Sequence, residues 1–298
     1  MTASMKFGLN LPAFGDYADP RRLGELAVLA EQAGWDGFFI WDHMFFDPSF
    51  HPMGDTWVNL AAVAMSTQRM KLGAMVTPLA RRRPWKFARE TVSVDQLSNG
   101  RLIVGVGLGD PVQWDFGFFN EETDNRVRAQ KLDEGLEILT GLWQGEMFDF
   151  QGQHYTLQSV RFLPSPAQQP RIPIWVGGNW DKLPPKRRAA RWDGYFPLKW
   201  GGAKTGLTVD EWRDIQRTVL QYRTSELPFD WVHGGSTAGL SPALSRAVLE
   251  PLEEIGITWW IESVDPWTLG DLSFEMPWSD RHTRVMRERV MEGPPRIH

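Results

Sequence analysis

Apolar residues along this chain form short runs of strand length that alternate with longer stretches of helical spacing. In the first unit, the run Lys6–Leu11 predicts a strand, and the periodic stretch after it predicts a helix that begins at Asp19-Pro20 and ends at Gly34. The alternation continues to the end of the chain. The other predicted strands cover residues 37–43, 70–77, 102–110, 172–178, 194–199, 229–233 and 257–263.

Residues at the predicted helix ends support this interpretation. Asp55 is a capping residue before one helix, and Pro84 lies in the first turn of the next, where an N–H group is not needed. Gly100 follows the end of that helix, at a position that favours left-handed backbone. Thr208-Val-Asp-Glu211 has the spacing of a capping box. Pro251 lies inside a later helical pattern and predicts a kink there or a division into two helices.

A longer segment separates the fourth predicted strand from the fifth. It contains a helix with an apolar face, formed by Leu132, Leu136, Leu139 and Trp143. Two apolar runs around Gln151-Gly152-Gln153 then predict a β-hairpin. Eight strands that alternate with helices, and a closing helix over 279–291, predict an α/β fold. We expect a single (β/α)8 TIM barrel over residues 1–298, with the helix and hairpin inserted between strands 4 and 5.

Composition narrows the function classes. The chain has no cysteine, which excludes disulfides, thiolate zinc sites, iron–sulfur clusters and cysteine nucleophiles. Its net charge of −5, without a long basic tract, argues against a nucleic-acid partner. The start of the chain lacks the pattern of a secretory signal and no run is long enough to span a membrane, so we expect a cytoplasmic location. Sixteen tryptophans predict either core packing or an aromatic-lined cavity.

In a barrel of this kind, ligands bind at the carboxyl ends of the strands, so the residues that end each run are the site candidates. His43 ends the second predicted strand and is the candidate general acid or base, because imidazole titrates near neutrality. The alternative for His43 is a hydrogen-bonded histidine at the start of a loop. Trp41, Lys199 and His233 lie at strand ends as candidate substrate contacts. No spacing of histidines or carboxylates resembles a metal site, so we expect no metal.

Two glycine-rich stretches are candidate cofactor contacts. Gly177-Gly178-Asn179, between a strand and a helix, would offer N–H groups to a phosphate, although paired glycines also make ordinary tight turns. Gly105-Val-Gly107-Leu-Gly109 would let a flat ligand lie against the backbone, but it lacks the full dinucleotide fingerprint. Arg81-Arg82-Arg83 either steers an anionic cofactor or is solvated loop charge. A serine hydrolase has no support because Gly-x-Ser-x-Gly is missing.

Short motifs occur in a fixed order from about Met5 to about Ser263. They are Phe7-Gly-Leu-Asn-Leu-Pro12, Ala33-Gly-Trp-Asp-Gly37, Trp41-Asp-His43, Arg83-Pro84, Asp95-Gln-Leu97-Ser-Asn-Gly-Arg101, Gly105-Val-Gly-Leu-Gly109, Pro173-Ile-Trp-Val-Gly-Gly178 and Asp193-Gly194. No single motif is specific, but together and in this order they resemble the luciferase-like flavin oxidoreductases. That superfamily contains bacterial luciferase and the barrel enzymes that depend on coenzyme F-420 (F420).

The resemblance implies a barrel that holds a reduced flavin or the 5-deazaflavin F420, with its ring in the mouth and its phosphate near Gly177-Gly178. F420-dependent members carry a histidine after strand two and an acid, usually glutamate, after strand four. His43 and Asp110 match these positions, with a shorter acid. A cis peptide bond is expected within Met75-Val76-Thr77, where a bulge supports the ring. The implied cofactor-binding residues are Asn10, Met75, Val76, Thr77, Gly107, Gly109, Gly177, Gly178 and Asn179.

The predicted function is therefore hydride transfer or monooxygenation of a small organic substrate with a reduced flavin-type cofactor. F420 is favoured over FMN because His43 and Asp110 fit its two-residue pattern and the reactive cysteine of bacterial luciferase has no counterpart. The alternatives are an FMN-dependent monooxygenase, a non-catalytic flavin-binding barrel, and a hydrolase or isomerase that binds a phosphorylated substrate at Gly177-Gly178. The loops and the segment 111–170 decide the substrate. The resemblance and the many aromatic residues also predict a homodimer or larger assembly.

Overall fold

Eight parallel strands close into a barrel in a computed structural model of the protein, which describes residues 4–46, 52–199, 201, 203–270 and 278–295. The strands in these ranges are β1 (Lys6–Leu11), β2 (Gly37–Ile40), β3 (Lys71–Pro78), β4 (Leu102–Gly107), β5 (Met147–Gln151), β6 (Thr156–Arg161), β7 (Ile174–Asn179), β8 (Gly194–Leu198), β9 (Asp230–Gly235) and β10 (Trp259–Ser263). Strands β5 and β6 form a separate antiparallel hairpin, and the others form the barrel in the order β1-β10-β9-β8-β7-β4-β3-β2. The predicted TIM barrel and its inserted hairpin are confirmed.

Helices cover the outside of the barrel. In the described ranges they are α1 (Pro20–Ala33), α2 (Thr56–Ser66), α3 (Pro84–Leu97), α4 (Val112–Asp115), α5 (Asn125–Trp143), α6 (Leu183–Ala189), α7 (Val209–Tyr222), α8 (Pro242–Glu254), α9 (Pro266–Leu269) and α10 (Asp280–Met291). None of these helices is long and apolar enough to cross a membrane. The predicted helix of the insertion is α5, and its predicted apolar face is buried.

Several predicted helix ends are confirmed. Asp19 and Asp55 cap α1 and α2 because their carboxylates accept N–H groups of the first turn. Gly34 ends α1 with a φ of 97°, in the left-handed region. Thr208 and Glu211 form the predicted capping box of α7. Local polar groups at these positions therefore fix where the helices begin and end.

Several predicted boundaries are wrong. Strand β2 ends at Ile40 instead of residue 43, so the side chains that follow belong to a loop. Strand β4 likewise ends at Gly107 instead of residue 110. Helix α6 begins at Leu183, because Pro184 and Pro185 suit a first turn that needs no N–H. Helix α8 continues through Pro251, so of the two outcomes predicted there, a division into two helices does not occur. A single proline removes one helical hydrogen bond, and packing of the remaining turns keeps the helix in one piece.

Two hydrophobic cores lie on the two faces of the barrel wall. The larger fills the space between strands and helices, and the smaller fills the barrel interior, because strand residues alternate between the faces. Inside the barrel, the ring centroid of Trp175 lies 5.3 Å from that of Phe39 and 5.4 Å from that of Trp259. The full interior core consists of Phe39, Met75, Ile103, Trp175, Phe196, Val232, Trp259 and Ile261. Packed rings fill the interior, so a ligand site belongs at the carboxyl-end mouth.

A buried carboxylate lies at the opposite, amino-terminal end of the interior. Asp230, the first residue of β9, accepts hydrogen bonds from Thr258 Oγ1 at 2.9 Å and from the Trp175 indole N–H at 3.1 Å. Burial is the largest influence on this carboxyl and raises its pKa above the usual range, although the hydrogen bonds and Lys6 oppose the shift. The folded protein therefore holds the proton of this carboxyl more tightly than the unfolded chain does.

One buried arginine joins three elements at the same end of the barrel. The Arg101 guanidinium donates to the carbonyls of Ala64, Thr67, Met70 and Ser98 and to the Thr67 hydroxyl, at 2.7–2.9 Å. These carbonyls lie at the ends of α2 and α3 and just before β3, where helix geometry leaves them without partners. Arg101 thus satisfies buried acceptors that the backbone cannot.

We expect Arg101→Lys to lower the free energy of unfolding by about 2–4 kcal/mol, because one ammonium cannot reach acceptors spread over three elements. Urea unfolding followed by tryptophan fluorescence measures the change. Arg217→Lys, at an exposed arginine on α7, is the control and should change the free energy by less than about 0.5 kcal/mol. Equal losses in the two variants would contradict the structural role of Arg101.

We expect Asp230→Asn to become more stable relative to the parent as the pH rises from about 4 to about 7. A carboxyl whose folded pKa is raised carries no charging penalty below its unfolded pKa and the full penalty above its folded pKa. The amide removes that penalty, so the difference in urea midpoint, variant minus parent, should increase across this range. Asp214→Asn, at an exposed carboxylate, is the control. A difference at Asp230 that does not change with pH would argue against a buried charging penalty.

Candidate active site at the mouth of the barrel

Small residues around a bulge in β3 make the floor of the mouth. The peptide bond between Met75 and Val76 is cis, as the resemblance predicts, and the pairing of β3 with β4 shifts register there. The Val76 side chain packs against glycines of two neighbouring strands. A Cβ placed on Gly107 or Gly177 would lie 2.6 or 2.7 Å from the Val76 methyl groups. Both positions therefore require glycine, because a side chain at either would displace Val76 from the floor.

Asn10 supplies a polar group to this floor. It lies in β1 opposite Ser263 of β10, and alternation along the strands puts both side chains on the inner face. Its carboxamide oxygen Oδ1 is buried and has no hydrogen-bond partner in the part of the chain that the structure describes. A buried acceptor without a donor is costly. The ring N–H of a flavin or deazaflavin is a donor of the kind that would satisfy it.

His43 is held by an acid that the sequence did not single out. Its Nδ1 lies 3.0 Å from Oδ2 of Asp115, the last residue of α4, and Asp115 Oδ1 accepts the Met44 N–H at 2.7 Å. The Asp115 side chain is fully buried, whereas the His43 side chain is 13% exposed. Since Nδ1 donates to the carboxylate, Nε2 is the nitrogen left to exchange a proton with a ligand. The geometry is that of an oriented acid–base group.

Asp110, the acid expected beside His43, has no described hydrogen bond or ion pair with it. Gly109 turns the chain after β4 with a φ of 84°, and Asp110 follows it with an exposed side chain. Arg128 donates to the carbonyl of Gly109 at 3.1 Å, and the charge of Asp110 opposes the lowering of the Arg128 pKa by burial. His43 bonds Asp115, so the acid that contacts the histidine comes five residues later. No capping or periodic signal in the sequence marks that position.

A buried ion cluster lies behind the histidine. The Asp42 carboxylate accepts hydrogen bonds from Arg81 at 2.9 Å, from Arg82 at 3.0 Å and from the Thr77 hydroxyl at 2.8 Å. Burial opposes ionisation of Asp42 most strongly, yet Arg81, Arg82 and these hydrogen bonds outweigh it and hold its pKa below the usual range. Arg81 also lies 4.0 Å from Asp115. Arg81 and Arg82 are therefore structural rather than solvated, and the Thr77 hydroxyl is occupied by Asp42.

Aromatic rings surround His43. Phe46 lies 4.8 Å and Trp41 lies 6.0 Å from the imidazole, measured between ring centroids. Trp267 stacks on Trp41 at 6.1 Å, and Trp114 lies 5.3 Å from Phe46. We call these four rings, Trp41, Phe46, Trp114 and Trp267, the aromatic wall. Core packing, one of the two predicted uses of tryptophan, is confirmed, since Trp35, Trp175, Trp212, Trp259 and Trp260 are fully buried in the cores. The aromatic-lined cavity stays a prediction.

Two residues predicted to contact substrate bond residues of α7 instead. His233 is buried against α7, where Nδ1 accepts the Trp212 indole N–H at 2.6 Å and Nε2 lies 2.8 Å from the Thr205 carbonyl. Burial lowers the pKa of His233 to about 4. Lys199 bonds the Glu211 carboxylate at 2.7 Å. Both side chains are committed to α7, so neither is carried into the proposed site.

The glycine pair predicted to bind phosphate lies inside a strand. Gly177, Gly178 and Asn179 are part of β7 and pair with β8, and α6 begins only after three more residues. Pro184 and Pro185 in the first turn of α6 have no N–H to donate. A Cβ on Gly178 would lie 2.5 Å from Pro185, so this glycine lets α6 pack on the strand. Contact between these residues and a cofactor phosphate stays a prediction. The helix N-terminus that was expected to contribute to it is not at this position.

The residues that the structure describes do not form a metal-binding site. No group of three or more histidine, aspartate and glutamate side chains among those residues is arranged to hold a metal ion. The carboxylates nearest the mouth are instead committed to arginines, to His43 or to backbone N–H groups. What the mouth offers is an oriented imidazole, a carboxamide and an apolar wall.

Comparison with known proteins places the chain in a family. Residues 5–220 match the model of the luciferase-like monooxygenase family. The chain is 28% identical over 267 residues to the F420-dependent glucose-6-phosphate dehydrogenase of Nocardia farcinica, and the match covers 82% of this chain and 78% of the relative. It is 34% identical over 182 residues to the enzyme of the same name from Mycolicibacterium fortuitum. That match covers 59% of this chain and 52% of the relative, about half its length.

Solved structures share the fold. The coenzyme F420-dependent tetrahydromethanopterin reductase of Methanopyrus kandleri has a TM-score of 0.70 at 15% identity, and the match covers 98% of this chain and 99% of that one. An F420-dependent secondary alcohol dehydrogenase, solved with an F420–acetone adduct, has a TM-score of 0.67 at 16% identity, covering 97% and 99%. At these identities the likeness shows the fold alone. The family model covers most of the chain, and this protein therefore belongs to the luciferase-like monooxygenase family and is an enzyme of the oxidoreductase class.

Proposed function

We propose that this enzyme uses F420 to move a hydride to or from an oxygen-bearing carbon of a small organic substrate, while His43 handles the coupled proton. The observation that carries the proposal is the His43–Asp115 pair at the mouth, 3.0 Å between Nδ1 and Oδ2. Relatives named for F420 dependence, at 28% and 34% identity, support this cofactor over FMN. The absence of cysteine removes the thiol that bacterial luciferase carries near strand four.

The floor of the mouth suits a planar ring. Asn10 would hold the ring through its carboxamide, and the Met75–Val76 bulge would support one face of the ring. Gly107 and Gly177 have no side chains that would displace Val76 from this position. When bound, F420 supplies or accepts a hydride at a ring carbon. The protein's own contribution is to place that ring beside the imidazole and to exclude water with the aromatic wall.

Proton transfer belongs to His43. The Asp115 carboxylate accepts the Nδ1–H, which fixes the ring plane and the tautomer and leaves the Nε2 lone pair for a substrate hydroxyl. In the oxidising direction Nε2 takes the hydroxyl proton, and in the reducing direction it returns that proton to the carbonyl oxygen. Arg81, fixed by Asp42, places a positive charge 4.0 Å from Asp115 and offsets the burial of that carboxylate.

The remaining alternatives have less support. The hypothesis of a hydrolase or isomerase that binds phosphate at Gly177-Gly178 assumed a helix N-terminus at this pair. These residues lie within β7 instead, so that support is missing. A non-catalytic flavin-binding barrel would not require an acid–base pair oriented by a buried carboxylate. FMN-dependent monooxygenation stays the second candidate, on the description of the family itself. The expected dimer or larger assembly and the cytoplasmic location stay predictions.

We expect F420 to bind more tightly than FMN, and Asn10→Ala to weaken F420 binding about tenfold, because one hydrogen bond is worth about 1–1.5 kcal/mol. Fluorescence titration of the purified protein measures both affinities. Ser93→Ala, on the exposed face of α3, is the control and should leave F420 affinity unchanged. If FMN binds more tightly than F420, an FMN-dependent monooxygenase becomes the favoured function. If neither cofactor binds, the proposal is wrong.

We expect His43→Ala to lower kcat by roughly a hundredfold or more and to leave F420 affinity within about twofold, because one acid–base group contributes about that much. Asp115→Asn should lower kcat by about tenfold or more and shift the pH–rate profile, since an amide N–H facing Nδ1 favours the wrong tautomer. Steady-state kinetics between about pH 5 and pH 9 measures both effects. Asp110→Asn should change kcat less than Asp115→Asn, because the Asp110 side chain is exposed and has no described contact with His43. The reverse order would return the acid's role to Asp110.

A further inference from the structure

The residues around His43 also restrict the chemical class of the substrate. We infer that it is an uncharged alcohol or ketone with an apolar body, and not a phosphorylated sugar such as the one for which the relatives are named. This inference rests on the proposed function, because it assumes that His43 Nε2 faces the reacting oxygen. It is supported separately by the apolar side chains of the aromatic wall and by the partners that the nearby arginines and lysines already have.

The aromatic wall offers apolar surface where a sugar would need polar partners. Trp41, Trp114 and Trp267 are only partly buried. They follow β2, β4 and β10. Trp41 contacts His43, Trp267 stacks on Trp41, and Trp114 contacts Phe46. A sugar ring buried against these faces would lose hydration at several hydroxyls without gaining hydrogen bonds. An alkyl or ring hydrocarbon loses no such bonds, and its burial is favourable by about 25 cal/mol per Å².

Most cations of the strand-end loops that the structure describes already have partners, although Arg83, after β3, is exposed without a described ion pair. The described pairs are Arg81 and Arg82 with Asp42, Lys199 with Glu211, Arg128 with the carbonyls of Leu108 and Gly109, and Lys204 with the carbonyl of Thr268. A phosphate would have to displace buried carboxylates or backbone carbonyls to reach these charges, at the cost of leaving them unpaired. Apart from Arg83, these cations therefore reach a dianion only if they lose an existing contact.

The step balances with F420 as the oxidant, held by Asn10 and the Met75–Val76 bulge. In the oxidising direction the C–H bond of the carbinol carbon would break, and its electron pair would leave with the hydrogen as the hydride that the oxidised cofactor accepts. The O–H proton goes to His43 Nε2, and a C=O bond forms. The alcohol is oxidised to a ketone by two electrons, and the cofactor is reduced by the same two. The reverse sequence reduces the ketone.

Cyclohexanol, an apolar alcohol, and glucose 6-phosphate, a phosphorylated sugar, are the two substrates that test the inference. With F420-loaded enzyme, loss of the visible absorbance of F420 gives kcat/KM for each, and we expect cyclohexanol to exceed glucose 6-phosphate by at least about a hundredfold. Trp267→Leu should raise the KM for cyclohexanol about tenfold and leave F420 affinity unchanged, because it removes part of the wall alone. Trp41→Leu is the second variant should Trp267→Leu not fold.

The control is Trp231→Leu, at a partly buried tryptophan near the start of β9, whose ring lies 4.6 Å from that of Phe229 at the opposite end of the strand from the mouth. It should leave the KM for cyclohexanol unchanged. Glucose 6-phosphate turned over as well as cyclohexanol would overturn the inference, as would an equal change in KM in Trp231→Leu. Calorimetric titration of the cofactor-free protein with cyclohexanone keeps the test independent of F420. If cyclohexanone binds and Trp267→Leu weakens that binding, the apolar site is supported even if the F420 proposal fails. If cyclohexanone does not bind, the inference is wrong even if F420 binds.

Discussion

The buried carboxylate of Asp42 is the constraint on which the geometry of the mouth depends. It is 3% exposed, and a charge at that depth persists only with close partners. Those partners, Arg81, Arg82 and Thr77, all belong to the end of β3 and the segment after it. The cluster therefore joins the end of β2 to the end of β3. His43 is the next residue after Asp42, so the position of its backbone follows from this ion cluster rather than from the strand itself.

The secondary structure and the barrel were accessible from the sequence because their signals are local. Asp19, Gly34, Asp55 and Thr208 act within one turn of the chain, and the alternation of strands and helices needs no knowledge of distant contacts. The partner of His43 was not accessible in the same way. Asp115 lies 72 residues further along the chain and belongs to a four-residue helix without a cap signal. Only the closure of the barrel brings the two side chains together.

Strand ends identified candidate residues but not the face on which each side chain lies. Asn10 and Ser263 lie on the inner face, whereas His233 and Glu262 lie on the outer face and bond Trp212 and Arg289. Successive residues of a strand alternate between faces, so an uncertainty of one residue in a predicted strand reverses the assignment. The chain contains histidines and acids on both faces, and composition cannot tell a functional group from one that packs a helix against the barrel.

Helix α4 links two properties of the enzyme that are often separable in barrel folds. Trp114 belongs to the aromatic wall, and its neighbour Asp115 bonds His43, so in the proposed mechanism consecutive residues of one short helix would serve substrate contact and proton transfer. In many (β/α)8 enzymes, specificity loops can be exchanged while the catalytic residues stay on the strand ends. Here, a graft that replaces the loop after β4 would also remove the carboxylate that fixes the imidazole. A change of substrate range through this loop must therefore keep an acid at that point of the chain.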